Sequence, residues 1–313
     1  MARSKYISMD GKLVPYEDAR IHVLSPALKY GANVFEGLRA YWNADHGELY
    51  VFRMREHMLR LEQGMKIMRY KFGSSVEQWE AWLLDMIRGN DHRTDCHLRF
   101  TAFVTGEGFM DAVEPVVFVA SAEERPAKPL EQKAVKAQVA TWRRIDDSSM
   151  PPRVKTGANY SNARLGLLQA RADGYNEAIF LTQAGKVAEG GGACLIMVRD
   201  GVPTTPLVTG GILESVTRAS LLSLFQSKLG TKVVERDIDR TELYAADELF
   251  FCGSAYEITP VTSVDRLPVG KGEIGPVTKS LWKVFEDVVR GRDNSHPEWR
   301  APVFGGGSAR RKA

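Results

Sequence analysis

The chain has 313 residues, of which 44% are apolar and 26% charged, with a formal net charge of +3. That length accommodates two domains with sizeable cores, and the weak charge, with no basic block in the folded region, gives no case for a nucleic-acid partner. No window nears about 18 consecutive apolar residues, so no membrane span is expected. The three cysteines, Cys96, Cys194 and Cys252, form no CxxC pair and suggest neither a zinc site nor a disulfide framework. They fit a reduced, cytoplasmic compartment. Arg3 and Lys5 precede no apolar run, so no signal peptide is expected.

In chain order, Tyr6–Met9 and Lys12–Val14 flank the turn pair Asp10-Gly11, a hairpin signal. Leu49–Phe52 reads as a strand. From Arg53 the period changes, and Met54, Met58, Leu61, Met65 and Met68 mark one face of an amphipathic helix. That methionine stripe is a core face before it is anything functional. A second helix is expected over Val76–Ile87, with strands over His97–Val104 and Val116–Ala120. Residues 123–130, polar and carrying Pro126 and Pro129, read as a linker. Beyond it come strand candidates Val135–Thr141, Glu177–Thr182 and Cys194–Val198, and helix candidates Tyr160–Ala172, Ser215–Lys228 and Val277–Val289. Strands and helices mix without a βαβ rhythm, which points to α+β domains. The expected division is a small domain over 1–122, a linker over 123–130, a large domain over 131–304 and a disordered tail over 305–313.

Four short motifs carry chemistry. Lys155, in Val154-Lys155-Thr156-Gly157-Ala158-Asn159-Tyr160, precedes a helix among small and apolar residues, where desolvation turns an amine into a nucleophile. A solvated loop lysine is the commoner use of the residue. Glu189-Gly190-Gly191-Gly192 lets backbone approach a ligand with a carboxylate beside it, or forms an ordinary glycine turn. Leu213-Glu214-Ser215-Val216-Thr217-Arg218 opens a helix whose N–H groups and hydroxyls suit an anion, or serves as a plain cap. Gly253-Ser254-Ala255-Tyr256-Glu257-Ile258-Thr259-Pro260 ends a strand in a small-residue turn.

The ordered set resembles the class IV, fold-type IV aminotransferases, in which a lysine is followed four residues on by Asn-Tyr, then Glu-Gly-x-Gly, a helix start ending in Thr-Arg, and Gly-(Ser/Thr)-Ala-x-Glu-Ile-x-Pro. Lys29–Arg39, with Val34-Phe35-Glu36-Gly37-Leu38-Arg39, and Phe52–Leu61, with His57 and Arg60, are similar to stretches of the branched-chain amino acid aminotransferase subgroup. The resemblance spans about Tyr6 to Val289. It implies the two-domain fold of the D-amino-acid aminotransferase type, with a small α/β domain and a larger barrel-like one. It also implies pyridoxal 5'-phosphate as cofactor and a homodimer or higher homo-oligomer.

Residue by residue, the resemblance implies that Lys155 forms the Schiff base and acts as base and acid. Glu189 would hold the pyridine nitrogen protonated, and Tyr160 would bond the ring oxygen. Arg60 would take the phosphate with Val216, Thr217 and Ser254, while Gly192 and Ser215 would supply backbone. Tyr30, Phe35, Gly37, Arg99 and Ala255 would contact substrate, Tyr30 in the partner subunit's site. The implied reaction is ping-pong transfer between a branched-chain or related hydrophobic L-amino acid and 2-oxoglutarate. The alternatives are a D-amino-acid or (R)-amine transaminase, an aminodeoxychorismate-lyase-like enzyme, or a non-catalytic binding protein on the same scaffold. The chain departs from the family pattern at Cys194 (usually asparagine), His97 (typically tyrosine), Leu213-Glu214-Ser215, Glu123-Glu124-Arg125 and Gly106–Asp111. Of the loop and post-glycine departures only Ser215 is expected to reach the cofactor set; the rest bear on substrate choice.

Overall fold

A computed structural model describes residues 4–305. Nearly all of the expected tail lies outside the described residues. The chain forms two compact units: Met1–Ala127 with Lys155–Gly157 and Asp287–Ala313, and Lys128–Val154 with Ala158–Glu286.

The first unit contains β1 (Tyr6–Met9), β2 (Lys12–Pro15), α1 (Pro26–Tyr30), β3 (Asn33–Asn43), β4 (Glu48–Phe52), α2 (Met54–Ile67), α3 (Val76–Asn90), β5 (Cys96–Val104) and β6 (Val116–Glu124). The strands lie antiparallel in the order β4-β3-β5-β6-β1-β2. The β1–β2 hairpin turns through Asp10 and Gly11, both at positive φ, as a tight Asp-Gly turn requires. A Ser75 capping box starts α3: its Oγ accepts the Gln78 N–H and the Gln78 side chain accepts the Ser75 N–H. The methionine stripe is core, with Met58, Leu61 and Met65 fully buried. Trp79 of α3 stacks on Phe118 of β6 with centroids 5.0 Å apart, and Phe72 and Phe100 close the group.

The second unit contains β7 (Val135–Arg143), α4 (Gly157–Ala172), β8 (Glu177–Leu181), β9 (Val187–Gly190), β10 (Cys194–Arg199), β11 (Val202–Thr205), α5 (Val216–Leu229), β12 (Val234–Glu235), β13 (Glu248–Gly253), β14 (Glu257–Val264), β15 (Leu267–Pro268) and α6 (Pro276–Val289). The sheet runs β12-β11-β10-β13-β14-β7-β8-β9, with β15 on β14. Its pairing is mixed: β7 is parallel to both β8 and β14. The Gly190 N–H donates to the Ala193 carbonyl at 2.8 Å, which brings the end of β9 back toward β10 and curls the sheet. One core cluster, including Leu195, Met197, Ile238, Leu249 and Phe251, fills the curl. Glu248 accepts the N–H groups of Val277 and Thr278 and so caps the start of α6.

The grouping differs from the expected boundaries in three places. Glu123 and Glu124 complete β6, paired with His97 and Cys96, rather than forming linker. The last strand, β16 (Arg300–Pro302), pairs with β4, which returns the chain from Asp287 to the first unit. Lys155–Gly157 also belongs there, because it bonds to β3. No helix among the described residues is long and apolar enough to cross a membrane. Replacing the fully buried Trp79 with Ala is expected to destabilise the protein by about 3–5 kcal/mol, read as a lower midpoint of the denaturant transition.

Candidate active site

Three consecutive residues tie the lysine segment to β3. The Phe35 N–H donates to the Lys155 carbonyl at 2.8 Å, Thr156 bridges to Val34, and the Gly157 N–H donates to Asn33 Oδ1 at 3.0 Å. The approach requires glycine at 157, where a Cβ would stand 2.9 Å from Asn33 Oδ1. The segment before the lysine is pinned as well: Asn159 Nδ2 donates to the carbonyls of Pro151 and Val154 at 3.1 and 2.9 Å. With its main chain fixed, Lys155 places its Nζ 5.0 Å from the centroid of the Phe35 ring. The Arg99 guanidinium stacks on that ring at 3.5 Å.

The β3–β5 register sets Gly37 opposite Arg99 and Arg39 opposite His97. A Cβ on Gly37 would come 3.3 Å from His97 Nε2, so this glycine keeps room beside the histidine. Burial first, then the positive charges of Arg125, Arg39, Lys155 and Arg99, lower the His97 pKa to about 4. The ring is therefore neutral at pH 7 on an electropositive face.

Alternation along β3 turns Glu36 away from Phe35 and toward α2. Glu36 is fully buried. Its Oε1 accepts Arg60 Nε at 2.7 Å, and its Oε2 accepts Arg60 Nη2 at 2.6 Å and His57 Nδ1 at 2.7 Å. His57 and Arg60, three residues apart on α2, share a helix face. Burial alone would raise the Glu36 pKa; the Arg60 charge and the His57 hydrogen bond outweigh it and bring it to about 2. Burial lowers the His57 pKa against the pull of Glu36, and Arg60 and Lys155 add to the lowering. Lys155 thus lies within electrostatic reach of the Glu36–His57–Arg60 cluster.

In the second unit, Glu189 is buried on β9. Its Oε1 pairs with Arg144 Nη2 at 2.7 Å, and its Oε2 accepts the Leu213 N–H at 3.2 Å. Arg144 is held in turn by donating from Nε to the Gly211 carbonyl at 3.2 Å. Sequence reading missed Arg144, which follows the strand candidate outside any recognisable motif. It also underrated Cys194, whose Sγ lies 3.8 Å from Glu189 Oε2 and 3.5 Å from the Leu213 carbonyl.

The glycines next to Glu189 leave space that aromatic residues border. A Cβ on Gly192 would come 3.6 Å from Tyr256 Cε2 and 3.9 Å from Tyr160 Cε1. The Tyr256 hydroxyl donates to Glu177 Oε2 at 3.1 Å, and burial, with Glu177 beside it, raises its pKa. Ser215 Oγ caps α5 by accepting the Arg218 N–H at 3.2 Å. The N–H groups of Val216 and Thr217 open that helix and have no intrahelical acceptor. Ser254 and Ala255 form the β13–β14 turn, closed by the Tyr256 N–H donating to the Gly253 carbonyl.

The structure therefore gathers Lys155, Phe35, Gly37, Arg99 and Arg60 in the first unit. In the second, Gly192 lies beside Tyr160 and Tyr256, Gly253 before the 254–255 turn lies against Gly192, and Glu189 is bonded to the stretch that leads into Ser215. Tyr30 ends α1 and is 46% exposed, with its ring centroid 5.0 Å from Lys29 Nζ.

Comparison with known proteins identifies the family. The family described as Amino-transferase class IV matches residues 33–264. The chain belongs to the class IV aminotransferases. It is 36% identical over 307 residues to the probable branched-chain-amino-acid aminotransferase of Aquifex aeolicus, covering 96% of this chain and 99% of that one. It is 38% identical over 305 residues to the branched-chain-amino-acid aminotransferase of Escherichia coli strain K12, covering 95% and 97%. The holo-form crystal structure of the Thermobaculum terrenum branched-chain amino acid aminotransferase superposes with a TM-score of 0.90 at 38% identity, covering 97% of this chain and 99% of that one. The T.th. branched-chain amino acid aminotransferase complexed with N-(5'-phosphopyridoxyl)-L-glutamate gives 0.91 at 35% identity, covering 97% and 100%. These likenesses establish the two-domain aminotransferase fold expected from the motifs.

Two outcomes test the site's electrostatics. Replacing Arg144 with Met strands the buried Glu189 carboxylate and is expected to cost about 3–5 kcal/mol in denaturant unfolding, with much of the loss recovered when Glu189→Gln is added. For Glu36 the folded pKa is depressed, so its ionic contribution is complete above the ordinary carboxylate range and is lost as pH falls through about 2. The stability gap between wild type and Glu36→Gln should accordingly be constant above pH ~5 and narrow below it.

Proposed function

We propose that this chain is a pyridoxal 5'-phosphate-dependent transaminase with Lys155 as cofactor anchor. It would move an amino group between a branched-chain or related hydrophobic L-amino acid and 2-oxoglutarate in a ping-pong cycle. The observation that carries the reading is the lacing of Lys155 to β3, which fixes an amine beside Phe35, Arg99 and the Arg60 cluster. The printed names of the relatives and the phosphopyridoxyl-glutamate complex of one of them support the substrate and cofactor classes.

The residues present fit the cofactor. Glu189, as an anion held by Arg144 and the Leu213 N–H, is an acceptor only, and so suits a protonated ring nitrogen. Asn159 Oδ1 and Thr156 Oγ1, flanking the lysine and tyrosine, are buried polar atoms without a hydrogen-bond partner among the described residues. A Cβ on Gly191 or Gly192 would meet nothing closer than 3.6 Å, so these two glycines leave room beside Tyr160 and Tyr256. Arg60, with the Val216 and Thr217 N–H groups and Ser254, would hold the phosphate, and Tyr160 the ring oxygen. Gly192 and Ser215 would supply backbone.

When bound, the cofactor acts as an electron sink that acidifies the substrate Cα–H. Lys155 Nζ would take the Cα proton and serve as base and acid of the transfer. Glu189 would keep its positive partner charged, and Arg144 would keep Glu189 ionised. Arg99 would bind a substrate carboxylate, including the second one of 2-oxoglutarate, and the 254–255 turn would offer N–H groups to the α-carboxylate. Phe35 and Gly37 would shape the side-chain pocket. Tyr30, exposed and sharing Lys29 with the exposed Phe109 ring, would serve the neighbouring subunit of a cytoplasmic homodimer.

An amino-donor panel tests the substrate assignment. Transfer from L-leucine or L-valine to 2-oxoglutarate is expected, whereas transfer from D-alanine or (R)-amines alone would replace this reading with another reaction on the same fold. Lys155→Ala should lower turnover by at least about three orders of magnitude, consistent with loss of covalent and proton-transfer catalysis. A variant with full activity would refute the assignment.

A further inference from the structure

We infer that Glu36 is a positioning residue for cofactor capture: it sets the angle at which Arg60 meets the phosphate, with His57 as its second brace. The inference rests on the reading of Arg60 as the phosphate-binding arginine. Arg60 lies on a methionine-lined helix with its side chain 11% exposed, and a long guanidinium side chain there keeps several rotamers open unless it is braced. Glu36 removes that freedom. It takes the Nε–Nη2 edge of the guanidinium with two short, parallel bonds of 2.7 and 2.6 Å, which fix the plane and turn the Nη1 side away from the carboxylate. His57 donates a third short bond to Oε2, which stops the carboxylate from rotating with the arginine.

The charges suit this role. The Glu36 carboxyl stays ionised, with its pKa near 2, and the buried His57 stays neutral at pH 7. The cluster is thus one cation held by one anion over the working pH range. Such a pair is specific for direction rather than raw attraction, because the carboxylate offsets much of the guanidinium charge. An unbraced arginine would bind phosphate with more charge and less order. Glu36 gives up part of that attraction for a fixed geometry, and β3 carries Glu36 immediately after Phe35, whose N–H holds the Lys155 carbonyl. One strand therefore registers the lysine and, through Glu36, the arginine.

The test compares apoprotein titrations with pyridoxal 5'-phosphate and with pyridoxal, which lacks the phosphate, followed by tryptophan fluorescence. Glu36→Gln is expected to weaken pyridoxal phosphate binding about ten- to a hundredfold. Pyridoxal binding should change less than about twofold, so the preference for the phosphorylated form collapses. Glu36→Asp, which keeps the charge but withdraws it, should give an intermediate loss, and His57→Gln a smaller one in the same direction. Those two variants keep the test decisive if Glu36→Gln does not fold. Equal weakening of both ligands, or no change in their ratio, would overturn the positioning role. Arg60→Gln separates the two claims: if it leaves the ratio unchanged, the phosphate reading of Arg60 fails, and if it collapses the ratio while the Glu36 variants do not, only the positioning role fails.

Discussion

The hydrogen bond from the Phe35 N–H to the Lys155 carbonyl organises the first unit's functional face. It ends a chain excursion of more than a hundred residues and makes Lys155–Gly157 an extra rung on β3. Because β3 also pairs with β5, the same rung fixes the lysine relative to Phe35, Gly37 and Arg99. Because alternate residues of β3 face α2, it fixes the lysine relative to Glu36 and hence Arg60 as well. A side chain whose main chain is fixed this way starts from a defined origin, which is how a fold converts packing into preorganisation.

The second unit solves the complementary problem of keeping a carboxylate ionised away from water. Glu189 lies in a core strand next to Gly190, where a Cβ would approach Phe251 to 2.8 Å. Arg144 and the Leu213 N–H compensate its burial. Removing Arg144 alone would leave the buried anion costly. Burial pushes the Cys252 thiol up to about 12, with Arg218 lowering it and Glu189 raising it by smaller contributions.

Much of this was legible in the sequence, for definite physical reasons. The Asp10-Gly11 hairpin, the amphipathic stripe of α2 and the Ser215 cap of α5 are local patterns, and local patterns survive in one dimension. β3 was harder to see as a strand, because it is buried along nearly its whole length and shows no alternation of apolar and polar residues. The Arg144–Glu189 pair joins positions 45 residues apart that share no motif. The return of β16 to the first sheet, and the adoption of Lys155–Gly157 by the first unit, depend on long-range pairing that periodicity does not encode. Cys194 was read as a substrate-side departure, yet its sulfur touches the buried carboxylate.

Lys155 is proposed as the lysine that bonds the cofactor. Borohydride reduction of the protein after incubation with pyridoxal 5'-phosphate, followed by digestion and peptide mass mapping, tests this directly. One stoichiometric phosphopyridoxyl adduct per chain is expected, on the peptide containing Lys155. A stoichiometric adduct on any other lysine, or none at all in a folded protein, would contradict it.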